Sequence, residues 1–303
     1  MLVSVSRIWH PAGMGKKRGI LLAVLFVALL GGLVWMLSRP AEPAYQGKPL
    51  SAWINEYNGR PGDTNQAALV AIREMGTNAI PALLKIIKSD DPPFQRMMSE
   101  LNRKQSMVHF PVREPWQRRW AASFALYAMG TSAKSAFAAL TNLLFHPNAR
   151  FNSSAPAIAL AGMGSEGLPP LIAALTNQNV SIRYSAAFGL ARERSDLNLV
   201  VPALIARLSD QDRGVHRTAV LVLGLLHAEP GLAVPALMND YPGNDPELRS
   251  FILMSIGQFE TNASAAAPML IEALSDKDQE VRKCAAWALQ HIDPAAAAKA
   301  GVK

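Results

Sequence analysis

The chain is poor in cysteine, aromatic residues and charge. Its one cysteine, Cys284, cannot form an intramolecular disulfide, and a single cysteine does not make a metal site. Only 17% of the 303 residues are charged and half are hydrophobic. This composition excludes a disordered chain, and it is too polar for a protein with many membrane spans. The length allows one large domain or two small ones.

Motifs for catalysis and for metal binding are also missing. The six histidines are scattered and form no HExxH or HxxxH pair. No G-x-S-x-G, P-loop or G-x-G-x-x-G sequence occurs, and no two carboxylates stand out as an acid and a base. We therefore expect a protein that is not an enzyme and that has no catalytic residue, no bound metal and no cofactor.

The formal net charge of +7 comes mainly from the N-terminus. Residues 1–38 hold four basic residues and no acidic one, so 26 basic and 23 acidic residues are left for the rest of the chain, a balance of +3. Because binding of nucleic acid needs a basic stripe, this balance makes nucleic acid an unfavoured partner.

An uncharged run over residues 19–38 predicts a transmembrane helix. At about 1.5 Å per residue it spans roughly 30 Å, the thickness of the hydrocarbon core of a bilayer. Lys16, Lys17 and Arg18 precede it, so the positive-inside rule leaves the N-terminus in the cytoplasm and the rest of the chain on the periplasmic side. The alternative is a cleaved signal peptide, although its apolar region should be shorter and residues 36–40 are a poor cleavage site.

The remaining chain carries a 33-residue repeat. One marker is an apolar residue followed by Arg or His, and another is a proline followed by an apolar pair. These markers are Ile182-Arg183, Val215-His216, Leu248-Arg249 and Val281-Arg282, and Pro169, Pro202, Pro235 and Pro268. Each unit is expected to form two helices, the second beginning at the proline. One helix pair cannot bury its own apolar face, so neighbouring units must stack.

The pattern of V-R-x-x-A-A, then proline with Leu-Ile, then S-D-x-D resembles the short HEAT repeats of the phycobilisome-lyase-like type, over about residues 62–293. Residues 47–54 resemble the opening of bacterial HEAT-domain proteins. We expect a capping helix here, with four apolar residues at core-facing spacing: Leu50, Trp53, Ile54 and Tyr57. Ankyrin and tetratricopeptide repeats share the period, but their T-P-L-H and W-x-x-L-G signatures are absent.

The resemblance implies an all-α fold of armadillo-like helical architecture. We expect a right-handed α-solenoid of about six HEAT-type helix pairs, preceded by the single transmembrane helix. The predicted order is a cytoplasmic tail (1–18), the transmembrane helix (19–38), a linker (39–48), the solenoid (49–297) and a tail (298–303).

The repeated arginines are predicted to tie neighbouring units together by pairing with aspartates between repeats. This structural ladder comprises Arg118, Arg150, Arg183, Arg249, Arg282, Asp210 and Asp276. The alternative is that the arginines line a groove for anionic groups.

Residues 91–119 are the irregular part of the repeat array, with a net charge of +3 and interleaved Met and Trp residues. Arg and Trp are enriched in binding hot spots, and insertions in solenoids map to binding loops. The predicted partner-binding residues are Arg96, Arg103, Lys104, Arg113, Trp116 and Arg119. The alternative is an extended helix with ordinary packing residues.

The leading functional hypothesis is a non-catalytic scaffold, anchored in a membrane, that binds a protein or peptide on the solenoid surface. Because related repeats occur in chromophore lyases, a lyase-like or chaperone-like action on a chromophore or client protein is the alternative. Nucleic-acid binding comes last.

Overall fold

The structure is a computed structural model that describes residues 42–57, 66–89, 115–146, 154–192 and 195–302, together with single helical positions at 26, 27, 30, 97, 100, 101, 103 and 104. Within these residues, no helix has the length and hydropathy to cross a membrane. Apart from the three helical positions at 26, 27 and 30, the predicted transmembrane helix lies outside the described residues, as does the predicted cytoplasmic tail. The chain divides into two compact units, residues 1–42 and 43–303.

The second unit begins with a small β-hairpin and a capping helix. Strands β1 (Ala44–Tyr45) and β2 (Lys48–Pro49) pair antiparallel, so the predicted linker ends in ordered structure. Helix α1 (Leu50–Glu56) follows, and Trp53 Nε1 donates to Tyr45 O over 3.4 Å. The four residues predicted to face the core are all buried, which confirms that prediction: Leu50, Trp53, Ile54 and Tyr57.

Helix pairs then follow one another along the described chain. They are α2 (Gln66–Met75) with α3 (Ile80–Lys88), α4 (Pro115–Met129) with α5 (Phe137–Leu144), α6 (Ser154–Ala161) with α7 (Leu168–Ala174), α8 (Val180–Leu190) with α9 (Leu197–Ile205), α10 (Arg213–Leu226) with α11 (Pro230–Asp240), and α12 (Pro246–Gly257) with α13 (Ala267–Ala273). Helix α14 (Gln279–Ile292) closes the array, and a short helix α15 (Pro294–Lys299) packs on it. The predicted all-helical solenoid of about six pairs is confirmed at this level, while its right-handedness stays a prediction.

The first helix of each pair forms one layer of the fold. From α4 onward, each first helix packs against the next, through α6, α8, α10 and α12 to α14. Each second helix from α5 onward packs against the first helix of the following unit. We call these layers the first-helix layer and the second-helix layer.

The core lies between the two layers and follows the repeat. The leucine after each marker proline is fully buried, as is the small or apolar residue three positions after each marker Arg or His. These residues are Leu171, Leu204, Leu237 and Leu270, and Ala186, Ala219, Ile252 and Ala285. The 33-residue period therefore reflects equivalent core positions in successive units.

The predicted start of the second helices is correct for two units and wrong for two others. Helices α7 and α13 begin one residue before their marker proline, whereas Pro202 and Pro235 lie inside α9 and α11. Apolar residues before the proline explain the longer α9, since Val200 and Val201 are fully buried there. Burial of these side chains outweighs the hydrogen bond that a proline inside a helix cannot donate.

Candidate interaction surface

The ladder residues of the C-terminal units join successive turns. Arg183 Nε and Nη2 each donate to a carboxylate oxygen of Asp210 over 2.8 Å, and its Nη1 donates to Asn177 O over 2.9 Å. Arg249 repeats the arrangement, with Nη2 donating to Asp276 Oδ1 over 2.9 Å and Nη1 donating to Asn244 O over 2.8 Å. Each arginine thus links the turn before its own helix to the turn before the next first helix.

Two further positions of the ladder have other partners. Arg282 Nη1 donates to the carbonyl oxygens of Asp276 and Lys277, over 2.7 and 2.9 Å. His216 replaces arginine in the intervening unit, and its Nε2 lies 2.7 Å from Asp240 Oδ2. Glycine occupies position 243, which is equivalent to Asp210 and Asp276, so a carboxylate three residues earlier takes over the contact.

The two ladder aspartates have pKa values below the ordinary range. The hydrogen bond from Arg183 lowers the pKa of Asp210, and the backbone N–H of Asp212 lowers it further. Burial raises the pKa of Asp210 but is outweighed. Burial raises the pKa of Asp276, but the N–H of Asp278 and the guanidinium of Arg249 outweigh it. Because the Nη groups of Arg183 and Arg249 donate to these carboxylates and to turn carbonyls, they are not directed at a ligand.

The other two ladder arginines are not brought to this ladder by the described structure. Arg150 lies outside the described residues, and Arg118 is half-buried in α4. Their role in the ladder stays a prediction.

The predicted partner-binding residues separate into three groups. Arg96 and Arg113 lie outside the described residues, whereas Arg103 and Lys104 are exposed and helical. Trp116 is 46% exposed at the start of α4. Arg119 is buried, with Nη1 donating to Ser89 O over 3.4 Å, so the structure corrects its placement on a contact surface.

Aromatic rings of α4 and α8 form a continuous cluster that is buried at Phe124 and reaches the surface of the first-helix layer at Trp116 and Tyr184. Within α4, the ring centroids of Trp116 and Trp120 lie 5.9 Å apart, and those of Trp120 and Phe124 lie 6.1 Å apart. Within α8, Tyr184 stacks on Phe188 at 6.4 Å. Trp120 and Phe188 connect the two helices at 5.6 Å. We call these five residues the aromatic cluster.

The cluster closes over α6, in which four of the eight residues are alanine. Ala155 of α6 stands 33 residues before Phe188 and is 2% exposed. Close backbone packing brings the outer helices together. A Cβ added to Gly162 would lie 2.4 Å from Tyr127 Cα of α4, and one added to Gly189 of α8 would lie 2.9 Å from Ala157 Cβ of α6. Rings two units apart in the array therefore meet.

A row of apolar side chains continues from the cluster along the first-helix layer. Phe188, Leu221, Met254 and Trp287 are 33 residues apart and occupy equivalent positions in four successive first helices. Leu221 and Met254 are 39% and 40% exposed, and the other two are half-buried. With about 8–10 Å between packed helices, they form an apolar row about 24–30 Å long.

Sequence reasoning missed the apolar row and most of the aromatic cluster. The signal for the row was present, because its members share the period of the ladder arginines. Three of them stand five residues after an Arg, and Leu221 stands five residues after His216. In the described part of the chain, no three His, Cys, Asp or Glu side chains lie close enough together to hold a metal ion. The chemistry that the surface offers is apolar and aromatic contact.

The two-layer stack of helix pairs places the chain among the α-solenoids. Residues 234–300 match the family model of HEAT repeats. The predicted HEAT repeats are therefore confirmed over these residues. The likeness to the phycobilisome-lyase-like type stays a prediction.

No curated protein matches the chain. Among solved structures, it is similar to an engineered protein (20% identity, 71% of this chain and 96% of the other, TM-score 0.44) and to a second engineered protein (19%, 83% and 78%, TM-score 0.41). It is also similar to human deoxyhypusine hydroxylase in complex with glycerol (17%, 81% and 96%, TM-score 0.36). With TM-scores below 0.5, these similarities carry no argument about function.

Proposed function

We propose that the chain is a non-catalytic scaffold, held at a membrane, that binds a protein or peptide through the aromatic cluster and apolar row of its first-helix layer. The observation that carries this proposal is the exposure of large apolar side chains at equivalent positions of stacked helices. Surfaces of this kind are typical of interaction sites, and Trp and Tyr are enriched among the residues that dominate binding energy.

The architecture suits this function because a solenoid presents neighbouring helices as an extended surface. Trp116 and Tyr184 are the more exposed members of the cluster, at 46% and 38%. Their inner neighbours Trp120 and Phe188 hold them in place through ring contacts. Rigid, partly exposed rings lose little side-chain entropy on binding, so they are suited to anchor a partner.

The binding test compares two double variants of the full-length protein. Trp116→Ala with Tyr184→Ala removes the exposed rings, and Leu199→Ala with Leu232→Ala removes side chains of the second-helix layer that are at least as exposed. After cross-linking in intact cells and purification from solubilised membranes, the first variant should lose a specific co-purifying protein and the second should keep it. Retention by both variants, with unchanged folding, would contradict the proposal.

The membrane part of the proposal is supported by the uncharged run at residues 19–38 and the three basic residues before it. It is tested separately, by alkaline extraction of membranes and by a C-terminal alkaline phosphatase fusion. The protein should stay in the membrane fraction and the fusion should be active. Release by alkali or an inactive fusion would reject the anchor or its orientation, and would leave the binding surface unaffected.

A further inference from the structure

We infer that the contact between α10 and α12 is a joint at which the stack of helix pairs changes shape, whereas the contacts of α8 with α10 and of α12 with α14 are held fixed. The inference goes beyond the proposed function, because it concerns the movement of the fold and holds whatever the surface binds. It is carried by the difference between partly buried and exposed ion pairs at these three successive contacts.

The two fixed contacts are held by partly buried pairs of arginine and aspartate. Arg183 of α8 bonds Asp210 in the turn before α10, and the two side chains are 13% and 3% exposed. Arg249 of α12 bonds Asp276 in the turn before α14, and these side chains are 21% and 15% exposed. Each aspartate also accepts a backbone N–H from two residues further on in its own turn. The arginine of one helix is therefore bonded to an ordered turn at the start of the next.

The corresponding pair is missing between α10 and α12. Glycine stands at position 243, where the ladder has its aspartate, and His216 stands in place of the arginine. The imidazole Nε2 lies 2.7 Å from Asp240 Oδ2, and Asp240 is the last residue of α11. The histidine thus ties α10 to the second helix of its own unit, and the turn before α12 is left without a buried ion pair from α10.

Exposed ion pairs connect α10 to α12 instead. Arg213 donates to Asp245 and Glu247 at the start of α12, over 2.7 and 2.9 Å. Arg217 donates to Glu247 over 3.2 Å, and its guanidinium carbon lies 5.8 Å from the ring centroid of Phe251. The four charged side chains are between 41% and 59% exposed. Exposed pairs add little to stability and are weakened further by salt, so they hold this contact less firmly than the buried pairs hold the other two.

The exposed pairs and the close packing lie at opposite ends of the two helices. The ion pairs join the N-terminal ends, whereas a Cβ added to Gly224 would lie 2.7 Å from Ser255 Cα near the C-terminal ends. The N-terminal ends are therefore free to separate about a pivot at Gly224 and Ser255. Leu221 of α10 and Met254 of α12 stand on either side of the joint, so its opening changes the spacing within the apolar row.

The test places nitroxide pairs at equivalent exposed positions in the turns before the first helices. The substitutions are made two at a time in the full-length Cys284→Ala protein in detergent micelles, and they are Thr176→Cys, Ser209→Cys, Pro242→Cys and Ser275→Cys, each 33 residues apart. The pair at 209 and 242 reports on the joint, and the pairs at 176 and 209 and at 242 and 275 report on the fixed contacts. Dipolar broadening of the electron paramagnetic resonance spectrum gives the spread of distances in each pair.

Salt should act on the joint alone. Raising the salt from about 0.1 M to about 1 M shortens the Debye length from about 10 Å to about 3 Å. The spread of distances between positions 209 and 242 should then grow about twofold, while the other two pairs keep narrow distributions because buried ion pairs are screened much less.

Two variants locate the effect. Arg213→Gln with Arg217→Gln removes the exposed pairs, and should widen the distribution between positions 209 and 242 already at the lower salt. Lys283→Gln is the matched control, because it removes an exposed pair with Glu280 that lies within α14, and it should change none of the three distributions. Circular dichroism checks that each variant is folded, and the salt titration of the labelled protein decides by itself if the double variant unfolds.

Equal spreads in all three pairs at both salt concentrations would overturn the inference. It would also be overturned if the pair at 242 and 275 widened with salt as much as the pair at 209 and 242. A distribution between 209 and 242 that a folded double variant leaves unchanged would show that the exposed pairs do not hold the joint, and would reject it too. Because these measurements need no partner, their failure leaves the proposed binding function untouched.

Discussion

The first-helix layer is built differently at its two ends. From α8 to α14, polar contacts between turns recur at or near the repeat period, as in Arg183 with Asp210 and Arg249 with Asp276. From α4 to α8, aromatic rings meet across the alanine-rich helix α6. In the C-terminal region, specific polar pairs fix each unit on the next. Close packing occurs in both regions, since a Cβ added to Gly224 of α10 would lie 2.7 Å from Ser255 Cα of α12, so the aromatic contacts are what distinguish the N-terminal region.

The contacts of the two regions contribute differently to stability and to binding. Partly buried ion pairs favour one register of the stack, because a displaced unit would leave a charge without its partner. Exposed rings add less to stability and more to binding. Under the proposed function, the ladder of the C-terminal region keeps the stack in order, and the aromatic cluster of the N-terminal region, continued by the apolar row, binds the partner.

The largest expected effect is in the ladder. Asp210→Ala leaves the 13% exposed Arg183 without its carboxylate, and should lower the free energy of unfolding by about 3 kcal/mol. Glu247→Ala is the control, because Glu247 also pairs with arginines but its side chain is 53% exposed, so we expect a loss of about 1 kcal/mol or less. Urea unfolding measures both. Equal losses would show that the ladder is no more important than a surface pair.

The next effect is in the aromatic region. Gly162→Ala places a methyl group against the backbone of Tyr127, which should cost about 1–3 kcal/mol through overpacking. Gly231→Ala in α11 is the matched control, since an added Cβ meets no atom within 4 Å and alanine favours the helix. Urea midpoints should fall for the first variant and stay or rise for the second. A harmless Gly162→Ala would contradict close packing as the cause of the cluster.

Acid should weaken the ladder. The pKa values of Asp210 and Asp276 are lowered from the ordinary 3.8, because the folded state favours their anions. Their contribution to stability is complete above that pH and is lost as the pH falls through the lower folded-state values. The double variant Asp210→Asn with Asp276→Asn should show a smaller fall in Tm between about pH 5 and pH 2.5 than the unmodified protein. Parallel curves would mean that these carboxylates do not set the acid response.

The smallest expected effect concerns a turn. Gly76, Gly130 and Gly164 follow a buried methionine and have positive φ, and Glu260 holds the equivalent place after Phe259 with φ of 50°. Glu260→Gly removes the cost of a left-handed glutamate and adds entropy to the unfolded chain, so we expect a net gain of about 0.5–1 kcal/mol. Gly130→Ala should lose a comparable amount by thermal unfolding. A loss on Glu260→Gly would mean that the glutamate side chain is needed in the turn.

The fold could be predicted from the sequence because its buried core positions recur with the same 33-residue period as the sequence markers. The marker prolines and the leucines after them recur where each unit must bury its second helix. The ladder pairs were predictable for a related reason, since both the arginine and the S-D-x-D turn recur. The helix starts at Pro202 and Pro235 were wrong because buried valines upstream outweigh the local rule for proline.

The surface was harder to predict. The contact between Trp120 and Phe188 joins residues two units apart, and it depends on small residues in the intervening helix, which no local pattern reports. Arg119 was placed on the surface because it neighbours Trp116, yet the helix turns it into the interior. Residue type and charge suggested the right region of the chain, and only the packing showed which side chains face outward.

The most direct test of the account is photo-cross-linking in intact cells with a benzoylphenylalanine placed at position 184 or at position 232. Tyr184 lies in the aromatic cluster and Leu232 lies in the second-helix layer, where it is 51% exposed. We predict one discrete cross-linked protein from position 184 and none from position 232. The same product from position 232 alone, or from both positions with equal yield, would contradict recognition by the first-helix layer.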